Sequence, residues 1–379
     1  MAAVCRHFGI SRTCGHKWWR RFKRYGGHGL REGGRRPQRA DKLRRWWLAP
    51  VLRLRRKYGW GARKLHALLV GRRRGQRRPS VRTITRWLTA SGVIKKRPLR
   101  RASRAVRPAL QRLLGRCAND VWTIDFKGWF VLRDGTRVYA LTVRDLASRY
   151  ILYVGHVRPH ERAVGRVMRQ LFRRYGMPRE IWSDNGPPFG STGPRGWTTL
   201  SLQWVKLGIH VAFGRPARPG DNAAHEQMHK VLKAEATRPA SANLAAQQRR
   251  FELWRQRYNR IRPHEALKMQ APVARYRVTK KRRPLATPRW RYPPAYECVR
   301  LDSRGRYTWA GKPRWIGRAF AFEWIGLRQV DADIRQVFIG PHLLGTLHRT
   351  GSEYLLPVST KSPRSSSNSR SCTCTQGVS

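Results

Sequence analysis

One stretch of this chain gathers several chemically capable side chains within two helical turns. His225-Glu226-Gln227-Met228-His229 spells H-E-x-x-H, a pattern that sets two zinc-binding histidines and a general base on one helix face. The same stretch places one carboxylate, Glu226, one turn into a helix that opens after Pro219-Gly220. There it can serve as one acid of a metal site whose other members come from elsewhere. Asp125 is the first such acid. It lies mid-strand in Trp122-Thr123-Ile124-Asp125-Phe126-Lys127-Gly128, where apolar neighbours make a carboxylate costly unless it is paired or metal-bound. Asp184 is the second, just past a strand end in Ser183-Asp184-Asn185-Gly186. A first strand, a fourth strand and a late helix can bring three carboxylates to one sheet edge. Such a cluster holds two divalent ions roughly 3.5–4 Å apart, one activating an attacking oxygen and the other stabilising a leaving oxygen. Hard oxygen ligands suit Mg²⁺ or Mn²⁺ better than zinc. Taken singly, each acid has a plainer reading: Asp125 and Asp184 as turn or cap residues, Glu226 as a solvated helix position.

The elements that would position these acids follow from hydrophobic period and turn chemistry. Val121–Leu132 and Arg137–Val143 read as strands joined by Asp134-Gly135, a hairpin turn signal. Tyr150–Val157 reads as a third strand. Residues 160–175 fit a helix with Val164, Val167, Met168, Leu171 and Phe172 on one face. Glu180–Ser183 is a short strand. A helix near 199–207, a strand near 209–214, a helix from about 222 and another over 243–259 complete the pattern. Three antiparallel strands followed by alternating helices and strands predict a mixed α/β sheet with helices on both faces.

Composition names the partner class. Lys and Arg number 82 against 20 Asp and Glu, a formal charge of +62, which makes sense beside a polyanion. Arginine richness also follows from a GC-rich genome, but that does not explain where the acids sit. Residues 1–119 hold 36 Lys and Arg with only Glu32 and Asp41, whereas residues 120–270 hold twelve of the twenty acids. No apolar run approaches a membrane span and no signal peptide is evident. The six cysteines are scattered, and Cys372-Thr373-Cys374 is not a metal spacing, so all read as reduced in a cytosolic setting.

The basic N-terminal third reads as DNA-gripping helices. Residues 1–30 predict a helix-turn-helix, with Val4, Phe8, Ile10 and Trp18 as apolar positions, Gly9 in the turn and Ser11 as cap. Its second helix carries Arg12, His16, Lys17, Arg20 and Arg21, a set that can lie along a major groove; a basic helix on a globular surface is the plainer alternative. The chain starts inside the first helix, which suggests a late start. A breaker-rich linker spans 31–40. Residues 41–98 read as a second, possibly winged, helix-turn-helix. Leu48, Val51, Leu52 and Leu54 precede Trp60-Gly61-Ala62-Arg63-Lys64-Leu65, and a helix after Pro79-Ser80 carries Ile84, Trp87 and Leu88. Arg82 and Arg86 are its DNA-facing candidates. A basic connector covers 99–118. The mixed-sheet core is assigned to 119–278. Residues 286–357, with short strands and Gly/Pro turns, predict a small β-barrel, and 358–379 a disordered Ser/Thr/Arg-rich tail.

Five ordered stretches carry a family resemblance: WTIDFKG at Trp122–Gly128, WSDNGPPF at Trp182–Phe189, Leu202–Ile209, RPGDNAAHEQMHKVLKAE at Arg218–Glu235 and YNRIRPHEAL at Tyr258–Leu267. The chain resembles bacterial insertion-sequence transposases with a retroviral-integrase-like DDE core, over roughly residues 3–356. The resemblance implies a ribonuclease-H-like core and a metal triad of Asp125, Asp184 and Glu226, holding Mg²⁺ or Mn²⁺, with two ions expected. The acids are separated by 58 and then 41 residues, and the extra loop at 190–200 accounts for the long second interval. Lys230 and Lys233 follow Glu226 by one and two helical turns and are expected at DNA phosphates near the cut. Gln227 is a departure, standing where an arginine is common. The implied reaction is hydrolysis at the ends of a mobile element followed by attack of the freed 3′-hydroxyls on target DNA, without a covalent enzyme intermediate. The implied partners are double-stranded DNA, both element ends and target, and further copies of the chain in a synaptic complex. The implied location is the bacterial cytoplasm at the nucleoid.

Two other readings compete. A zinc peptidase would use His225 and His229 as ligands, but the extended motif needs Gly at 232 and a third ligand at 235, where Leu232 and Glu235 stand. Nothing in a peptidase calls for Asp125, Asp184 or the charge. The histidines are instead expected to support the helix or its DNA contacts, and Tyr258, Asn259, Arg262, Pro263 and His264 to be structural or DNA-facing. The second rival is a catalytically inactive DNA-binding protein derived from a transposase, for which the three intact acids are the contrary observation.

Overall fold

A computed structural model of the chain describes residues 1–31, 38–70, 78–94, 117–214, 223–279, 281, 284 and 286–358. Most of the predicted linker, most of the basic connector, the Arg218–Asn222 part of the long motif and nearly all of the tail lie outside the described residues. The chain divides into two compact units, Met1–Arg100 and Arg101–Ser379.

The first unit is helical among its described residues. Helix α1 (Ala2–His7) and helix α2 (Arg12–Tyr25) are joined by a turn at Gly9, whose φ is +61°. The Ser11 hydroxyl accepts the Cys14 N–H at 3.2 Å, capping α2. The expected apolar contacts are corrected here: Val4, Phe8 and Ile10 are exposed. The two helices meet instead at Cys5 and Gly15, where a Cβ on residue 15 would fall 2.2 Å from the Cys5 sulfur. A six-residue helix can bury only one such position. Helices α3 (Gln38–Tyr58), α4 (Ala62–Val70) and α5 (Val81–Ala90) close around a core that includes Trp47, Val51, Leu54, Leu65, Ile84 and Trp87. Ser80 caps α5 through the Thr83 N–H. The end of the segment in which a wing was expected, from residue 95, is outside the described residues.

In the second unit a five-stranded mixed sheet has the order β3-β2-β1-β4-β5. Strands β1 (Val121–Val131), β2 (Arg137–Asp145) and β3 (Ile151–His156) are antiparallel; β4 (Glu180–Ser183) and β5 (His210–Phe213) run parallel to β1. Helices α6 (Glu161–Tyr175) and α7 (Thr199–Lys206) cover one face. Trp122, Ile124, Leu141 and Val143 point into that layer and pack with Val164, Met168, Phe172 and Trp204. Helices α8 (Ala223–Ala236) and α9 (Leu244–Arg260) cover the other face, where Val138, Ala140, Phe251, Trp254, Met228 and Leu232 form a second core. Strand alternation therefore feeds two hydrophobic layers from one set of strands.

The C-terminal segment forms an antiparallel sheet, β12-β11-β10-β9-β6, and a separate hairpin, β7-β8. The strands are β6 (Glu297–Arg300), β7 (Arg306–Trp309), β8 (Lys312–Trp315), β9 (Trp324–Asp331), β10 (Ile334–Ile339), β11 (His342–His348) and β12 (Leu356–Pro357). The hairpin meets the segment before β12 through a parallel bridge between Trp315 and Tyr354, so sheet and hairpin enclose one core; closure into the expected barrel is not shown by these pairings. That core also contains Trp197, Leu202 and Val205, and Lys206 on α7 pairs with Glu323 at 2.7 Å.

Candidate metal centre

The site is assembled on the sheet face covered by α8. Strand β1 turns Thr123 and Asp125 toward this face, because their neighbours Trp122 and Ile124 are committed to the opposite core. Asp125 lies directly across from Thr142 on β2. The Thr142 hydroxyl is 3.0 Å from the main-chain oxygen of Asp125. A one-residue bulge follows immediately, between Phe126 and Trp129, with Gly128 at φ +84°. Beyond it, even-numbered residues of β1, Phe130 among them, face the α8–α9 core. The bulge therefore reverses the strand's phase. Without it, Asp125 would share a face with the exposed Trp129 and Val131.

Helix α8 meets this surface with His225 and His229, which lie one turn apart and are both buried. Their rings contact edge to face at 4.7 Å. His225 Nε2 and His229 Nε2 lie 2.7 and 2.8 Å from the Thr142 hydroxyl oxygen. His225 Nδ1 lies 2.9 Å from the Thr123 hydroxyl. His229 Nδ1 faces Asp125 Oδ2 at 3.8 Å. Burial first, then the neighbouring His229 and Arg144, hold His225 well below the ordinary histidine range. Burial, with Lys127 and Arg144, pushes His229 down to about 3. Burial thus favours the neutral form of both rings, and hydrogen-bond-range contacts with Thr142 and Thr123 tie α8 to the sheet. Their burial against Thr142 and Thr123 agrees with the expectation that they support the helix.

Asp184 follows β4. The parallel register sets Val121 beside Glu180 and Thr123 beside Trp182, and Asp184 is the first residue after that strand. The Asp184 side chain is open to solvent on one side, and the protein around its other side raises its pKa by desolvation, opposed by the Gly186 N–H. Glu226 is half-buried in the first turn of α8, beside the inward-facing His225. Lys230 and Lys233 are exposed on the Glu226 side of the helix.

The structure thus unites Asp125 with His225 and His229. Among the described residues, these are the one set of three His, Cys, Asp or Glu side chains whose ligand atoms lie within 4.8 Å of one another. Glu226 and Asp184 border the set without joining it at that spacing. Thr123, Thr142 and Lys127 were missed by motif reasoning. Thr142 becomes visible only once the β1–β2 register is known. Glu235, the position an extended zinc motif would need, is occupied otherwise: it accepts from Arg262 at 2.6 Å and from Trp254 Nε1 at 3.1 Å, pinning α8 to α9. Asn259 exchanges two 2.8 Å bonds with the main chain of Ile151, and Tyr258 is buried, so these residues are structural. Arg12, His16, Lys17 and Arg20 on α2, and Arg82 and Arg86 on α5, are exposed in the first unit.

With this geometry in hand, comparison with known proteins gives a consistent picture. Two family models described as Integrase core domain match residues 115–219 and 207–272. The insertion element IS407 uncharacterized 31.7 kDa protein of Burkholderia multivorans is 30% identical over 232 residues, 59% of this chain and 78% of that protein. The insertion element IS476 uncharacterized 39.2 kDa protein of Xanthomonas euvesicatoria is 30% identical over 225 residues, 58% of this chain and 60% of that protein. Among solved structures, the catalytic core domain of BIV integrase aligns at 19% identity with a TM-score of 0.31, covering 42% of this chain and 93% of that one.

Proposed function

Because the chain belongs to the bacterial insertion-sequence transposases with an integrase-like catalytic core, we propose that it is a metal-dependent polynucleotidyl transferase that cuts the ends of its element and joins them to target DNA. The observation that carries this reading is the placement of Asp125. A strand carboxylate is turned by a bulge onto the face covered by α8, the helix that bears Glu226. Asp125, Asp184 and Glu226 would hold Mg²⁺ or Mn²⁺, with two ions expected from the chemistry. The acids offer hard oxygen donors of the kind Mg²⁺ or Mn²⁺ takes; Asp184 is exposed just past a strand end and Glu226 is half-buried on α8. When bound, the metal supplies charge stabilisation for the attacking and leaving oxygens of phosphoryl transfer.

The chain's own residues do the positioning. Lys230 and Lys233 project from the Glu226 side of α8 and would grip phosphates beside the cut. Arg12, His16, Lys17 and Arg20, with Arg82 and Arg86, would read or clamp the terminal inverted repeats through two helix-turn-helix units. The C-terminal sheet would add DNA or subunit contacts, and synapsis of two ends requires more than one copy. Among the described residues, no helix is long and apolar enough to cross a membrane; the proposed place of action is DNA in the bacterial nucleoid.

The test is end cleavage and strand transfer on a duplex of the element's inverted repeats with Mg²⁺ or Mn²⁺. Wild type should cut and join. Glu226→Gln and Asp184→Asn should each lower both steps by at least about 10³-fold, the scale of ~4 kcal/mol of lost charge stabilisation. Specific binding without cleavage by wild type would sink the enzyme and leave a DNA-binding protein.

A further inference from the structure

We propose that His229 is itself a metal ligand, its Nδ1 and the Asp125 carboxylate holding one divalent cation between them in a mixed nitrogen–oxygen set. The inference rests on the metal-dependent reading of Asp125 and adds a ligand that the three acids do not include.

The argument starts from the single proton of the Thr142 hydroxyl. Its oxygen has three partners in range: the Asp125 main-chain oxygen at 3.0 Å, His225 Nε2 at 2.7 Å and His229 Nε2 at 2.8 Å. The carbonyl can only accept. If the hydroxyl donates there, both Nε2 atoms must carry protons and donate to Thr142. A ring that carries its one proton at Nε2 presents a lone pair at Nδ1. For His225 that lone pair accepts the Thr123 hydroxyl at 2.9 Å. For His229 it faces Asp125 Oδ2 at 3.8 Å. A divalent cation between these two atoms would bind both, whereas a proton on Nδ1 would join them as an ion pair. Metal–nitrogen and metal–oxygen bonds of about 2.0–2.2 Å span that separation. The Nε2–H bond to Thr142 is the outer contact that ligating histidines use to fix tautomer and ring orientation. His225 has both nitrogens engaged by threonines and is fully buried, so it orients α8 and does not ligate. The other proton arrangement, with Thr142 donating to His229 Nε2, would instead turn Nδ1–H toward Asp125 and make His229 a positioning residue. The two arrangements differ in whether nitrogen touches the metal. An imidazole ligand also moves the site's preference from Mg²⁺ toward Mn²⁺.

Pulsed electron paramagnetic resonance of the full chain, stripped with chelator and loaded with Mn²⁺ alone, reads the contact directly. Wild type should show the nitrogen modulation of one imidazole. His229→Gln should lose it and bind Mn²⁺ about 10-fold more weakly; His225→Gln should keep it. Bound Mn²⁺ without nitrogen modulation in wild type overturns the proposal, as does modulation that survives His229→Gln, or no Mn²⁺ binding at all. The wild-type spectrum decides even if His229→Gln fails to fold, and His229→Asn gives a second variant. A nitrogen signal in a protein that never cuts DNA would count against the transposase reading and leave the ligand standing. Cleavage in Mn²⁺ without a nitrogen signal would do the reverse.

Discussion

At the scale of single residues, Thr142 matters more than its chemistry suggests. One hydroxyl meets two buried imidazoles and a main-chain carbonyl. Thr142→Val keeps the shape of the side chain and removes that hub. It would strand buried polar groups on both histidines, and each unsatisfied group costs about 1–3 kcal/mol. Chemical denaturation should therefore show Thr142→Val destabilised by more than about 2 kcal/mol, beyond the expectation for a surface threonine. A loss below about 0.5 kcal/mol would mean the histidines find other partners. Asp125 stood out in the sequence, because a carboxylate among Trp122, Ile124 and Phe126 demands a reason. The threonines were not, since a strand threonine is ordinary and gains meaning only from what lies opposite.

At the scale of elements, the β1 bulge and the docking of α8 define the site. Gly128 adopts a left-handed φ with open space around it, so a side chain there is strained by backbone rather than by contact. Gly128→Val should cost about 1–2 kcal/mol and weaken Mn²⁺ binding, because relaxing the bulge swings Asp125 away from α8. Unchanged metal affinity in a destabilised Gly128→Val protein would detach the bulge from the site. Docking of α8 also predicts a pH dependence. The folded-state pKa values of His225 and His229 are depressed by burial. Between the unfolded value near 6.5 and about 3, the unfolded chain binds more protons than the folded one. Stability is thus fully present above pH ~6.5 and falls as the pH drops. In chelator, the midpoint of urea unfolding should fall between pH 7 and pH 5, and His229→Asn should flatten that slope. An equal slope in the variant would remove His229 as its source.

At the scale of the whole molecule, charge decides the partner and salt reports it. With +62 formal charge, affinity for duplex DNA should fall steeply as salt rises, each phosphate contact adding about 0.9 to the slope of log K against log salt. Lys230→Ala and Lys233→Ala should each lower that slope by about 1 and weaken binding to all sequences alike. A sequence-selective loss would instead place them at base edges. Element types were readable from period: helices in the first unit, then a mixed sheet and β-strands in the second. What period could not show is that the C-terminal sheet shares a core with Trp197, Leu202 and Val205, since strand alternation marks a buried face but not what buries it.

The sequence alone determined a strongly basic composition that points to a polyanion, the mixed sheet with its strands and helices nearly to the residue, and three acids in an order that resembles a known metal triad. These are local properties: charge, period, turn chemistry and motif. Tertiary structure alone decided which side chains meet. The bulge at Gly128 shifts the register of β1 so that Asp125 faces Thr142. The H-E-x-x-H histidines turn out to be buried on threonines, with one ring aimed at Asp125. Hydrogen-bond register and the packing of a helix across a sheet depend on residues far apart in the chain, and no local pattern encodes them.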